Sequence, residues 1–369
     1  MNILFITNMF PSKDHPQFGI FVENQVKALT NQGQKVLVLG INQPSSSKKK
    51  VINKYFQWGY RWGRMVLGSL KPKVDIVHAH YTFPSGMLAL MFKKLTKTPY
   101  VVTCHGGDIN KMAEKNKYLK RITSIILKKA DHVIVVGPEL REKVQNEYEI
   151  PSHKINQISM GVNKAMFHPV PKEEALRVTQ LNSDEKNILF VGNLVEEKGI
   201  EDLLKAWKTI VAKENNIKLH IVGSAKSEAY KSKITDLIHT ENMEASVSFH
   251  GARPQPELKN WFSSADMLVV PSRNEGFGLV ALEAMACKTP VVTTDAGGLK
   301  YITAEGRGLM ANAGSPGSLS EQISAMLNFK EDEKEAMIKE ALIFVEENEV
   351  NNLNKKVINI YKEVINYYN

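Results

Sequence analysis

The sequence predicts a doubly wound α/β protein with two parallel-sheet domains. Three observations carry this. Ten short runs rich in Val, Ile and Leu recur at intervals of roughly 20–35 residues, the signature of buried parallel strands joined by crossover helices. Two near-identical runs, "NILFIT" (2–7) and "NILFVG" (187–192), each open such a series. The 369 residues suffice for two domains of ordinary size.

Taken in order, the first series comprises "NILFIT" (2–7), "KVLVLG" (35–40), "VDIVHA" (74–79), "PYVVTC" (99–104) and "HVIVVG" (132–137). The second comprises "NILFVG" (187–192), "KLHIVG" (218–223), "SVSFHG" (246–251), "DMLVVP" (266–271) and "TPVVTT" (289–294). Between them lies the polar stretch 167–186, which holds two prolines and suits a linker. The expected domains are 1–165 and 186–345, joined by a linker over 166–185. The last stretch, 346–369, has helical spacing and is expected as a helix that can pack back on the first domain. "PSSSKKK" (44–50) reads as an exposed loop. In sheets of this kind ligands bind beyond the carboxyl ends of the strands, and two such sheets would face a central cleft. The residues after each strand are therefore the candidates for function.

Composition narrows the class. The two cysteines, Cys104 and Cys287, sit in apolar runs, which argues against a disulfide framework and for a reducing cytoplasm. Met1 leads straight into "NILFIT" with no basic n-region, so no signal peptide is expected, and no run approaches the ~20 apolar residues of a membrane span. A soluble or peripheral protein follows. Charge is lopsided: residues 1–170 hold 25 Lys and Arg against 10 Asp and Glu, and the remainder 23 against 29. A basic first half suggests an anionic partner. The segment 48–73 mixes its charges with Tyr55, Phe56, Trp58, Tyr60 and Trp62, and basic "KNKYLKRITSIILKK" (115–129) lies in the same half. An interfacial helix on anionic lipid is one reading, favoured over nucleic acid; a helix packed in the domain with a solvated basic face is the other.

The stretch "SRNEGFGLVALEAMA" (272–286) sets the central problem, because it places Glu283 in an apolar run eight residues after Glu275. A buried carboxylate costs several kcal/mol unless paired. Either Glu283 accepts from a ribose and Glu275 from a sugar, or Glu283 pairs with a buried cation and Glu275 is an exposed loop residue. Gly276 and Gly278 let backbone approach a ligand, and the helix start favours an anion. In "VGNLVEEKG" (191–199), Lys198 either reaches a phosphate at a helix start or is solvated beside Glu196 and Glu197. In "TCHGGDIN" (103–110), His105 either donates to a sugar hydroxyl or works as an acid or base, or it only bonds a neighbouring carbonyl. His78 and His80 share one side of a strand as a metal pair would, but no third ligand is evident. The first strand–loop–helix (10–29) lacks the GxGxxG fingerprint; its Gly19 either admits a phosphate or eases the turn. No D-x-D occurs, so no divalent metal is expected at a sugar-nucleotide site, and Lys198, Arg253 and helix termini would neutralise charge there. GxSxG and P-loop motifs are likewise absent.

The block "SRNEGFGLVALEAMACKTPVVTTDAGGL" resembles the E-x7-E signature of family 4 retaining glycosyltransferases of the GT-B fold. "VGNLVEEKG", "HGARPQPELKNWFSSADMLVVPS", "ISMGVN" and "TCHGGD" match that family's other landmarks in order, over nearly the whole chain. "GIFVENQVKAL" is similar to members that make bacterial cell-surface polysaccharides. The resemblance implies that Glu283 binds the ribose of a nucleotide sugar and Glu275 the sugar. It places the backbone of Gly276, Phe277, Gly278 and Leu279 near sugar and diphosphate. Lys198 neutralises the leaving group, His105 lies near the transferred sugar, and Gly19 lies near the phosphates. Where the family has Arg after the strand glycine, this chain has Asn193, and Arg253 is a candidate to compensate. Where the family has Gly, this chain has Lys288, a departure with no reading from sequence. The reaction implied is retaining transfer from a nucleotide sugar, with UDP as the expected base, to a saccharide or lipid-linked saccharide at the inner membrane face, without cofactor or metal. Two alternatives are a sugar-nucleotide epimerase on the same fold and a non-catalytic binding protein.

Overall fold

All ten apolar runs form strands. The computed structural model describes residues 1–15, 18–43, 48–67, 72–225 and 227–368. The chain divides into two compact units, Met1–Met160 with Val350–Asn369, and Gly161–Glu349.

The first unit holds strands β1 (Asn2–Thr7), β2 (Lys35–Gly40), β3 (Ile76–His80), β4 (Tyr100–Cys104), β5 (His132–Val135) and β6 (Ile155–Gln157). They form one parallel sheet in the order β2-β1-β3-β4-β5-β6. β3 and β4 are buried on both faces, which is why they read as unbroken apolar runs. On one face, Ile3, Phe5, Ile76, Val101 and Ile134 pack with Val22 and Leu29 of the helix Ile20–Asn31 and with Leu353, Val357, Ile360 and Tyr361 of the helix Val350–Tyr368. Gln25 donates to Asn354 at 3.2 Å within that contact. Residues 350–368 are thus part of the first unit's core.

The helix Lys48–Leu67 packs on the first unit along one face. Trp58 and Trp62 are 4% and 7% exposed and face the unit, with the Trp58 indole donating to Leu39 O at 3.1 Å. Phe56 and Tyr60 are 73% and 62% exposed on the other side. Of the stretch expected as a loop, residues 44–47 lie outside the described residues, and Lys48–Lys50 open this helix.

The second unit holds β7 (Lys186–Val191), β8 (Ile217–Val222), β9 (Val247–Gly251), β10 (Met267–Val270), β11 (Val291–Thr294) and β12 (Leu309–Ala311), in the parallel order β12-β11-β10-β7-β8-β9. This is the dinucleotide-fold order, with its switch point between β7 and β10. Trp207, Ile221, Phe190 and Val269 lie in its core.

Two features correct the expected domain plan. Residues 166–185, expected as a linker, belong to the second unit. They carry the helix Lys172–Thr179, which packs beside the helix Leu258–Ser264; Ala175 is buried, and Lys172 Nζ pairs with Asp266 Oδ1 at 2.7 Å. The prolines there lead into the helix instead of marking a linker: Pro171, with φ −51°, is its N-cap. Two strands, β6 and β12, lie outside the ten apolar runs because each is three residues long and closes a sheet edge with one fully buried residue.

Candidate active site

In the second unit, the loops after β7 and β10 are drawn together at the switch point. Gly199 has φ +68°, and a Cβ there would stand 1.8 Å from Pro271 O, so only glycine permits this approach. The Arg273 amide donates to Glu197 O at 2.9 Å. The Arg273 guanidinium grips the buried Asp202 in a fork, Nε to Oδ2 at 2.6 Å and Nη2 to Oδ1 at 2.7 Å. Asp202 lies in the first turn of the helix Ile200–Val211, so the β10 loop is pinned to that helix start. Sequence reasoning misses this clamp; 71 positions separate its members.

The clamp brings two candidates into contact. Lys198 Nζ lies 2.5 Å from Glu275 Oε2, with the two side chains 30% and 14% exposed. Ser272 Oγ donates to the same oxygen at 3.2 Å, and the Gly276 amide donates to Oε1 at 3.2 Å. Glu275 is therefore neither a free loop carboxylate nor Lys198 a solvated lysine. Both are held in place, and each is partly open to a ligand. Behind them, a Cβ on Gly297 would stand 1.9 Å from Glu275 O, and one on Gly298 would stand 2.4 Å from the Phe277 Cα. The loop rests directly on that backbone.

Gly278, at φ +101°, turns the chain into the helix Leu279–Ala286, which has no side-chain cap. Its first amides have no acceptor within the helix and offer a positive end to an anion. One turn in, Glu283 is half-buried and accepts from Gln255 Nε2 at 3.1 Å. No cation pairs with it among the described residues, contrary to the buried-ion-pair alternative. Burial pushes its carboxyl up to about 8, against the opposing hydrogen bond from Gln255. Glu283 thus has unused acceptor capacity and a raised proton affinity. Arg253 is half-buried with its guanidinium 5.6 Å from the centre of the Trp261 ring. Asn193 is exposed at the end of β7.

In the first unit, His105 follows β4 and stands beside His80 at the end of β3. Their rings stack with centroids 5.3 Å apart, and His80 Nδ1 lies 3.0 Å from His105 Nε2. His105 therefore bonds another imidazole rather than a carbonyl. Phe21 and Tyr81 pack on its ring, and this burial pushes it down to about 3, so it stays neutral. Asp108 shapes the loop: its carboxylate accepts from the amides of His105, Gly106 and Thr82 at 3.1, 3.1 and 2.9 Å. His78 is engaged inside, with Tyr361 at 2.5 Å and Thr103 at 2.7 Å. Among the described residues no group of three or more His, Cys, Asp and Glu is placed to hold a metal ion. Gly19 has φ +77°, and a Cβ there would meet Met9 O at 2.4 Å, which accounts for glycine without a ligand.

Lys288 finds its explanation here. It has φ +63° just beyond the helix Leu279–Ala286, a left-handed position that suits glycine, and its amide donates to Met285 O at 2.9 Å.

Known proteins are similar to this chain in sequence and in fold. Residues 19–165 match the model described as glycosyltransferase family 4, and residues 171–344 match that of glycosyl transferases group 1. The chain is 29% identical to an uncharacterized glycosyltransferase of Methanocaldococcus jannaschii over 88% of this chain and 89% of that one. It is 26% identical to the putative teichuronic acid biosynthesis glycosyltransferase of Bacillus subtilis, over 88% of each. Sucrose-phosphate synthase from Thermosynechococcus elongatus superposes with a TM-score of 0.81 over 100% of both chains at 22% identity. Anabaena HepE, solved with UDP and glucose, superposes with a TM-score of 0.78 at 18% identity, over 98% of this chain and 100% of that one. The fold shared with these two structures is GT-B.

Proposed function

The chain belongs to the glycosyltransferases of group 1 and family 4, and on that premise we propose that it transfers a sugar from a UDP-sugar, with retention, to a saccharide or lipid-linked saccharide in cell-surface polysaccharide synthesis. One observation supports it most: Lys198 and Glu275 are held 2.5 Å apart beside a glycine-turned, uncapped helix start. That combines a cation, a hydroxyl acceptor and oriented amides, the set a diphosphate sugar requires. The UDP preference rests on likeness to HepE, solved with UDP, and the surface role on likeness to the teichuronic acid enzyme.

In this reading the donor's diphosphate meets the amides that begin at Leu279, with Gly276, Phe277 and Gly278 giving close backbone approach. Glu283 accepts from the ribose hydroxyls, and Arg253 on Trp261 adds a positive group. Lys198 turns from Glu275 to the diphosphate, which frees Glu275 to accept from hydroxyls of the sugar. The bond between the anomeric carbon and the phosphate oxygen breaks, and its electron pair stays on the phosphate. Lys198 offsets the charge that develops there. The acceptor hydroxyl adds to the same face of the sugar, and its proton passes to the departing phosphate. Glu275 forms no covalent bond. His105, neutral, donates to a sugar oxygen. Neutralisation by Lys198 and the helix dipole makes the reaction independent of divalent metal. The acceptor is placed at an anionic membrane surface on the cytoplasmic side, met by the basic first half.

The test is nucleotide release from UDP-, GDP- and ADP-sugars in the presence of chelator, with and without bacterial lipid extract. Release from a UDP-sugar that rises with extract is expected. No release from folded protein, or isomerisation of the donor without transfer, would overturn the reading.

A further inference from the structure

The helix Lys48–Leu67 has two apolar faces, and the chain uses one. Trp58, Trp62 and Val66 are buried against the first unit, at 2–7% exposure. Ile52, Phe56, Tyr60 and Leu67, spaced four, four and seven residues apart, form a second stripe at 62–74% exposure. A stripe of large apolar side chains left in water along three to four turns marks an interaction surface. The helix Met87–Thr96, packed beside it, adds exposed Met91 and Leu95 one turn apart.

Charge identifies the occupant. From residue 24 to residue 74 the sequence holds ten Lys and Arg and no Asp or Glu. Arg61 and Arg64 lie along one flank of the stripe, both exposed. A second copy of this face would bring cations against cations with no carboxylate to answer them. Nucleic acid would meet the arginines but offers no hydrocarbon to cover Ile52 and Leu67. A bilayer with anionic lipids supplies both, headgroup phosphates for the cations and acyl chains for the stripe. Among the described residues no helix is long and apolar enough to cross a membrane, so this one would lie in the interface plane.

We propose that the helix Lys48–Leu67 docks the first unit on an anionic bilayer through Ile52, Phe56, Tyr60 and Leu67, with Arg61 and Arg64 on headgroup phosphates. This deepens the proposed membrane-located transfer and rests on it. The tryptophans hold the helix to the unit while the stripe enters the lipid.

The test is flotation of the full chain with vesicles of phosphatidylcholine alone or mixed with phosphatidylglycerol, at low and at physiological salt. UDP affinity is measured alongside. Wild type floats with the mixed vesicles and less so at higher salt. Phe56→Ser with Tyr60→Ser lowers the bound fraction at least tenfold, as does Arg61→Gln with Arg64→Gln, while UDP affinity stays within twofold. Failure of wild type to float, or equal flotation of the double-serine protein, overturns the docking; with UDP still bound, the transfer reading survives. A wild-type dimer that becomes monomeric on the double serine substitution and does not float assigns the stripe to a second copy instead. Flotation without any UDP affinity would spare the docking and sink the transfer reading.

Discussion

If Glu283 accepts from the ribose as proposed, nucleotide binding is coupled to a proton. Its carboxyl, raised by burial to about 8, holds a proton at neutral pH in the free protein, whereas the same group in the unfolded chain titrates near 4.5. The folded form therefore binds the extra proton between those values. The stability this group contributes is complete below 4.5 and lost as pH rises through 8. A ribose presenting two hydroxyl donors favours the ionised carboxylate, so the nucleotide must expel that proton. Ionising the group first costs about 2.7 kcal/mol at pH 6, about 1.4 at pH 7 and almost nothing above pH 9. Affinity for UDP should then rise about 25-fold between pH 6.5 and 8.5 through this residue alone. The UDP phosphate titrates near pH 6 and adds its own slope. Glu283→Gln, which keeps the shape and cannot ionise, supplies the baseline to subtract. Calorimetry at pH 7 in buffers of different ionisation enthalpy should show wild type releasing close to one proton more than Glu283→Gln does. Identical pH slopes and proton counts in the two proteins would refute both the raised affinity for a proton and the ribose contact.

Three further outcomes follow from geometry. Lys198→Ala should lower the rate of nucleotide release about 100- to 1000-fold. UDP binding should weaken far less; equal loss in both would make Lys198 a ground-state contact only. Arg273→Met strands the buried Asp202 and should destabilise the protein by about 3–5 kcal/mol in urea unfolding. A loss below 1 kcal/mol would show that the forked pair does not hold the loop. Lys288→Gly relieves a left-handed residue at φ +63°. It should stabilise by about 0.5–1 kcal/mol, read as a higher urea midpoint at unchanged slope, and an unchanged midpoint would count against strain there.

What can be read from sequence is local, and what cannot is set by the order of strands. "NILFIT" and "NILFVG" announce buried parallel strands because both of their faces must be apolar. β6 and β12 escape notice since a three-residue edge strand needs little apolar signal. Glu275, Lys198 and Gly278 are visible as residues of interest because each follows a strand or opens a helix, and Glu283 because it is a carboxylate in an apolar run. Their relations are not. Lys198 meets Glu275 across 77 positions only because β7 and β10 are neighbours. Arg273 and Asp202 are drawn together by the same adjacency. The stretch 166–185 looks like a linker because its helix buries little beyond Ala175, so polarity outweighs period. Lys288 makes no sense until its backbone angle is known, since side-chain chemistry says nothing of φ.

The helix Val350–Tyr368 sets an order on synthesis. It supplies Leu353, Val357, Ile360, Tyr361 and Val364 to a core whose other members are all made by residue 158. Tyr361 also holds His78, at the base of the histidine pair that ends in His105. As the chain leaves the ribosome, residues 161–349 emerge as a complete unit while the earlier one still lacks a wall. A nascent chain halted just before Val350 carries the whole of the second unit and a first unit in which Phe5, Ile76 and Val101 lack the cover of that helix. Chaperone demand during translation should therefore fall on the half that is made first, and be relieved only when the last helix arrives.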